Sequence, residues 1–107
     1  MNKYLYWLDR VEGLGPLSKR NLLEAFGSAR NVFEAREHHL KYILEDKKLS
    51  LLMRAKEEIE VEEAYNTLIK KQIQIISYYD VIFPEKLKSI PDPPFCLYYK
   101  RHLPSTT

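Results

Sequence analysis

The stretch "VEGLGPLSKRNLLEAFGSARNVF", residues 11–33, holds all three glycines of a 107-residue chain, at Gly13, Gly15 and Gly27. Glycine tolerates backbone angles that other residues avoid, so Gly13-Leu14-Gly15 breaks whatever helix precedes it. Pro16 suits the first position of the next helix, where its missing N–H costs nothing. The spacing predicts a helix from about Pro16 to Phe26, ended by Gly27 in the left-handed conformation. Ser28 then serves as N-cap of a further helix over residues 29–35.

Upstream, Tyr4, Leu5, Trp7, Leu8 and Val11 fall at helical spacing and leave Lys3, Asp9 and Arg10 to water, which predicts a short amphipathic helix over 3–11. Downstream, "REHHLKYILED" predicts another short helix with Leu40, Ile43 and Leu44 on its apolar side, and Asp46 is placed to cap a long segment from about Lys47 to Lys71. That segment changes face midway. Leu49, Leu52, Ala55 and Ile59 form one apolar set and Val61, Ala64, Tyr65 and Leu68 another, on nearly opposite sides of a helical wheel. One continuous helix bridging two units is the expectation, with a kink near Glu60 as the alternative, disfavoured because no Pro or Gly is present there.

After Lys71 the chemistry changes. "IQIISYY" and "FCLYYK" are β-branched and aromatic and predict strands, separated by "FPEKLKSIPDPP", in which Pro84 can start a helix of one or two turns before a proline-rich corner. Both runs read as strands buried on both faces, as in a parallel or mixed sheet. Two strands cannot complete such a sheet, so the second unit is expected to be unfinished, with unpaired edges that a second copy could cover.

Composition narrows the function classes. With 45% hydrophobic and 30% charged residues the chain reads as globular. A net charge of +2, spread so that no third of the chain carries an excess of more than two, does not mark a strong nucleic-acid attractor. No apolar run approaches the roughly 20 residues that span a bilayer, and the first ten residues lack a signal peptide's apolar core, so a cytoplasmic location is expected. The single Cys96 excludes an internal disulfide and reads as a buried structural thiol. Adjacent His38 and His39 diverge on a helix and lack a third ligand, so neither a metal nor another cofactor is expected. Glu57, Glu58, Glu60, Glu62 and Glu63 lie among lysines and arginines and read as a solvated face. With no nucleophile elbow, P-loop or GxGxxG motif, no enzymatic activity is expected. Tyr78, Tyr79, Tyr98 and Tyr99 could stack on bases, although strand alternation makes most of them core or interface residues.

The glycine corner itself admits two readings. In a helix-hairpin-helix, the backbone of Gly13, Leu14 and Gly15 would approach a DNA phosphate, N–H groups at the start of the second helix would point at the anion, and Lys19 and Arg20 would add charge. Pro16 removes one of those donors, and Lys19 and Arg20 read as ordinary surface residues, so a purely structural corner accounts for the same glycines.

The order of features resembles the N-terminal part of the DNA-processing protein A family (DprA, also called Smf). The resemblance rests on "YLYWLDRVEGLGPLSKRNLLEAFGSARNVFEA" and on "IQIISYYDVIFPEKLKSIPDPPFCLYYK" with Asp80, Phe83-Pro84, Leu87, Ile90, "PDPP" and "LYYK". It covers about residues 3–100 and about the first third of a family member. It implies a mainly α chain: a SAM-like, helix-hairpin-helix-related bundle over residues 1–70, then the incomplete start of a Rossmann-like α/β domain over 71–107 with about two strands. It further implies a non-enzymatic protein that binds single-stranded DNA and helps load RecA during natural transformation. The sequence departs from the family after "LYYK", where Arg101 replaces an expected glycine and "HLPSTT" replaces an apolar strand and glycine-rich turn. The family's main DNA-binding residues lie in that missing region and transfer to no position here, so the piece is expected to bind DNA weakly.

Overall fold

The computed structural model describes residues 2–100; the departure at 101–107 lies outside them. Among the described residues seven helices precede or interrupt one small sheet: α1 (Lys3–Arg10), α2 (Pro16–Phe26), α3 (Ala29–Glu34), α4 (Glu37–Leu40), α5 (Asp46–Glu58), α6 (Val61–Lys70), β1 (Ile73–Ser77), α7 (Glu85–Lys88) and β2 (Cys96–Lys100). The chain is thus mainly α with a short αβ segment at its end.

The local signals around the glycines act as their chemistry requires. Pro16 opens α2, and Gly27 ends it at φ 88° with its N–H bonded to the Leu23 carbonyl. Ser28 caps α3 by accepting the Asn31 N–H at 3.1 Å. The core forms where the apolar stripes meet: Trp7, Leu8, Leu22, Val32, Leu40 and Leu52 are fully enclosed, and Ile75, Phe95 and Cys96 of the αβ segment belong to the same cluster. Trp7 meets Phe33 edge to face at 4.9 Å and donates its Nε1–H to the Ala55 carbonyl, so α1, α3 and α5 converge on one indole.

The long bridging helix does not exist. The chain is extended at Ile59 (ψ 117°) and Glu60 (ψ 104°), and separate helices α5 and α6 lie on either side. The reason is in the two opposed apolar sets: the two-residue break lets α6 lie on both α1 and β1, with Val61 in the core cluster and Leu68 buried outside it. Asp46 is the first residue of α5 and not its cap, a position taken by Glu45. The α6 helix closes on Gln72, which adopts φ 59° without being glycine.

The sheet also differs from the parallel or mixed one expected. β1 and β2 are antiparallel neighbours, with Ile73 opposite Lys100 and Ser77 opposite Cys96. Only the face carrying Ile75, Ser77 and Cys96 is buried; Tyr98 and Tyr99 are both exposed to more than a third. An antiparallel pair can leave one face wet, which a parallel sheet interior cannot.

Candidate nucleic-acid interface

Gly13 and Gly15 lie at the surface between α1 and α2, but Leu14 turns its side chain into the core. Gly13 has φ 87°, and a Cβ built there would stand 2.5 Å from Leu51 Cδ1 of α5, so the glycine is required by the packing of the corner. Gly15 has an ordinary φ of −74° and open space where a Cβ would be. At the start of α2 the Leu17 and Ser18 N–H groups have no backbone partner among the described residues. They are the donors an anion would meet there.

The two cations expected beside them are turned elsewhere. Lys19 is not a surface residue: it is 8% exposed, and its ammonium donates to the Asp9 carbonyl at 2.6 Å and lies 3.8 Å from the Asp9 carboxylate. Burial pushes its pKa down, and Asp9 offsets part of that effect. Arg20 donates to the Pro93 carbonyl at 3.3 Å and lies over the Tyr78 ring at 4.7 Å, with Lys88 on the same ring at 5.3 Å. Two tyrosines complete the pattern, the Tyr79 hydroxyl bonding to the Glu24 carboxylate and the Tyr98 hydroxyl to that of Asp9. Arg20 and Glu24 of α2 and Asp9 of α1 are therefore the polar fasteners that hold the αβ segment against the helices, while Lys19 ties α2 to α1 through Asp9.

One cation that spacing could not reveal does reach the start of α2. Lys48, on α5, donates to the Ser18 hydroxyl at 3.1 Å. Thirty residues separate the two, so only the folded chain brings them together. The arrangement offers two backbone donors, a hydroxyl and one ammonium to an anion, and no acid, base or nucleophile aimed at a common point. Among the described residues no three His, Cys, Asp or Glu side chains converge as a metal site would need, and no helix is long and apolar enough to cross a membrane. The chain matches no protein-family model, no characterised protein and no solved structure.

The fastener cluster carries a pH dependence. Burial, with Asp9 and Asp80 nearby, pushes the Cys96 thiol well above its ordinary range, Lys19 opposing in part. Burial and their carboxylate partners push the Tyr79 and Tyr98 phenols up likewise. The unfolded chain gives up these protons at their ordinary values, about 8.5 for a thiol and 10 for a phenol, while the folded chain keeps them. The stability they lend is present in full below the unfolded values and lost as pH rises above them. Lys19 and Lys56, lowered by burial, act in the opposite sense below their ordinary value of about 10.4. Urea titrations should show a net loss of about 1–2 kcal/mol between pH 8.5 and 10.5, and Cys96→Ala should remove most of it. A stability that holds steady or rises over that window would contradict the assignment.

Proposed function

We propose that this chain is the N-terminal module of a non-enzymatic, cytoplasmic DNA-processing protein similar to the DNA-processing protein A family, SAM-like in its helical part and Rossmann-like in its αβ part. The complete protein binds single-stranded DNA and assists RecA loading in natural transformation; the module itself adds little DNA affinity. The family half of this reading rests on the sequence resemblance. The weak binding is carried by one observation: Lys19 and Arg20, the two cations that follow the glycine corner on α2, are occupied by Asp9, Pro93 and Tyr78.

Fluorescence anisotropy with a labelled single-stranded oligonucleotide tests it. At about 10 μM protein no binding that weakens with salt is expected, because few phosphates can be neutralised. Tight, salt-dependent binding would reject the reading. The double variant Lys19→Ala with Arg20→Ala should lower stability by about 2–4 kcal/mol, since it leaves the Asp9 carboxylate without its cation and the Pro93 carbonyl without its donor. It should leave DNA affinity as it was.

A second reading, a helix-hairpin-helix phosphate site, is favoured by Lys48 alone. If DNA does bind at this corner, Lys48→Ala should flatten the salt slope by about 1 while the Lys19 and Arg20 variants do not. An unchanged salt slope in all three variants would exclude it.

A further inference from the structure

Residues 73–100 are polar-bonded to the rest of the chain through side chains alone. Among the described residues no salt bridge and no backbone–backbone hydrogen bond joins β1, α7 or β2 to the helices before them. Four hydrogen bonds that use a side chain do: Asn2 Nδ2 to the Ile75 carbonyl at 3.2 Å, Arg20 to the Pro93 carbonyl at 3.3 Å, and the Tyr79 and Tyr98 hydroxyls to the Glu24 and Asp9 carboxylates. Both tyrosines remain 42% exposed, so water competes for the last two. Each side is tied together internally by stronger means. In the bundle, Trp7 donates to the Ala55 carbonyl, Lys19 to that of Asp9 and Lys56 to that of Ala35, and every side chain with no exposed surface lies between residues 7 and 52. In the αβ segment the ladder continues into the Tyr78 N–H and the Phe95 carbonyl at 2.8 Å, and the turns after β1 close through the Asp80 and Phe83 N–H groups, each at 3.0 Å. Phe83 is buried and packs on the Tyr78 ring within the same segment. Only Ile75, Phe95 and Cys96 enter the shared core.

We infer that the αβ segment is a hinged lid, which lifts off the bundle as a unit about Lys71-Gln72 while the bundle stays folded. The chain passes between the two sides once, at that connection, so the residues that follow Lys100 are joined to the moving side. Lys71 and Gln72 are both exposed, and Gln72 holds φ 59°, a left-handed conformation that costs a non-glycine residue energy. A rotation that relieves this angle swings β1 away from α1, while α6 keeps its place on α1. Opening gives up the four side-chain bonds and uncovers Ile75, Phe95 and Cys96, and it leaves the fully enclosed side chains of the bundle where they are. A unit with few shared apolar contacts and solvent-reachable bonds opens at a lower free energy than the whole chain unfolds. What the lid covers is one face of α2: opening frees Arg20 from Pro93 and Tyr78, and Glu24 from Tyr79. A ligand for that face would bind the open form alone, with an affinity reduced by the open fraction. The movement involves no DNA, so its success or failure is independent of the function proposed above.

Cys96 is the only cysteine and is buried, so its reaction with dithionitrobenzoate reports the opening. On the full chain, the labelling rate divided by that of the same thiol in the unfolded chain gives an opening constant. That constant should exceed the global unfolding constant, measured by far-UV circular dichroism, by about tenfold or more. Its urea dependence should be about half as steep or less, because lifting the lid exposes less surface than unfolding. Hydrogen exchange by NMR should give the Tyr78 amide the same opening constant, with the Leu8 and Leu52 amides exchanging through global unfolding alone. Tyr79→Phe with Tyr98→Phe keeps both rings and removes both bonds to carboxylates, and should raise the opening constant about tenfold or more. Cys96 labelling at the global unfolding constant with its full urea dependence would overturn the inference. So would a thiol that labels while the Tyr78 amide stays protected, or a double variant whose opening constant is that of the parent.

Discussion

Trp7→Ala is expected to cost about 3–5 kcal/mol, which is most or all of the stability of a domain this small. The indole is fully enclosed, packs edge to face on Phe33 and donates to the Ala55 carbonyl in the last turn of α5, which also accepts the Ile59 N–H. Alanine would leave a cavity at the meeting point of α1, α3 and α5 and withdraw a buried donor. Trp7→Phe separates the two contributions: it keeps a ring against Phe33 and loses the hydrogen bond and some volume, for about 1–2 kcal/mol. Far-UV circular dichroism during urea unfolding measures both, since the substitutions delete the only tryptophan. A Trp7→Ala protein that unfolds cooperatively within 1 kcal/mol of the parent would mean that the bundle is not organised around this side chain.

Trp7 was legible in the sequence because its neighbours repeat at helical spacing, and the same holds for α2, where proline, glycine and serine each do one local job. What escaped the reading was set by longer-range packing. The break at Ile59-Glu60 carries no Pro or Gly; its signal was the opposition of two apolar sets, which one helix with two partners explained equally well, and α6 does meet β1 after Lys71 but lies on α1 of the bundle as well. Gln72 sits in the left-handed region with nothing in its side chain to announce it. Burial of Lys19 had a trace in the sequence, three positions before the enclosed Leu22 on one face of α2. A lysine there reads as solvated only if its long apolar stem is ignored. The direction of β2 could not be read at all, because the connection between the strands, with its short helix α7, permits either sense, and the sheet's one-sided burial follows from that direction. At the glycine corner the residue types were read correctly and their partners were not: Lys19 and Arg20 meet Asp9, Pro93 and Tyr78, and Lys48 stands at the helix start.

That last difference makes the glycines themselves the sharpest test of what the corner is for. Gly13→Val is expected to destabilise by about 3 kcal/mol, combining roughly 1–2 for a left-handed β-branched residue with the cost of pressing on Leu51. Gly13→Ala should cost somewhat less, about 2 kcal/mol, because the clash is with the far end of a side chain that can rotate. At Gly27, also left-handed, alanine meets only Asn31 Nδ2 at 3.8 Å and should cost about 1 kcal/mol from the backbone alone. Gly15→Ala should fall within about 0.5 kcal/mol of the parent, a lost preference at the helix cap set against reduced freedom in the unfolded chain. A corner built for packing produces this graded order in stability and no change in DNA binding. A corner built to admit a phosphate produces a different one, since the space around Gly15 is as open as an approaching anion would need, and alanine there would leave stability intact while weakening binding. Urea midpoints and anisotropy on the same four variants separate the two, and equal costs at Gly13 and Gly15 would contradict both the left-handed geometry and the contact with Leu51.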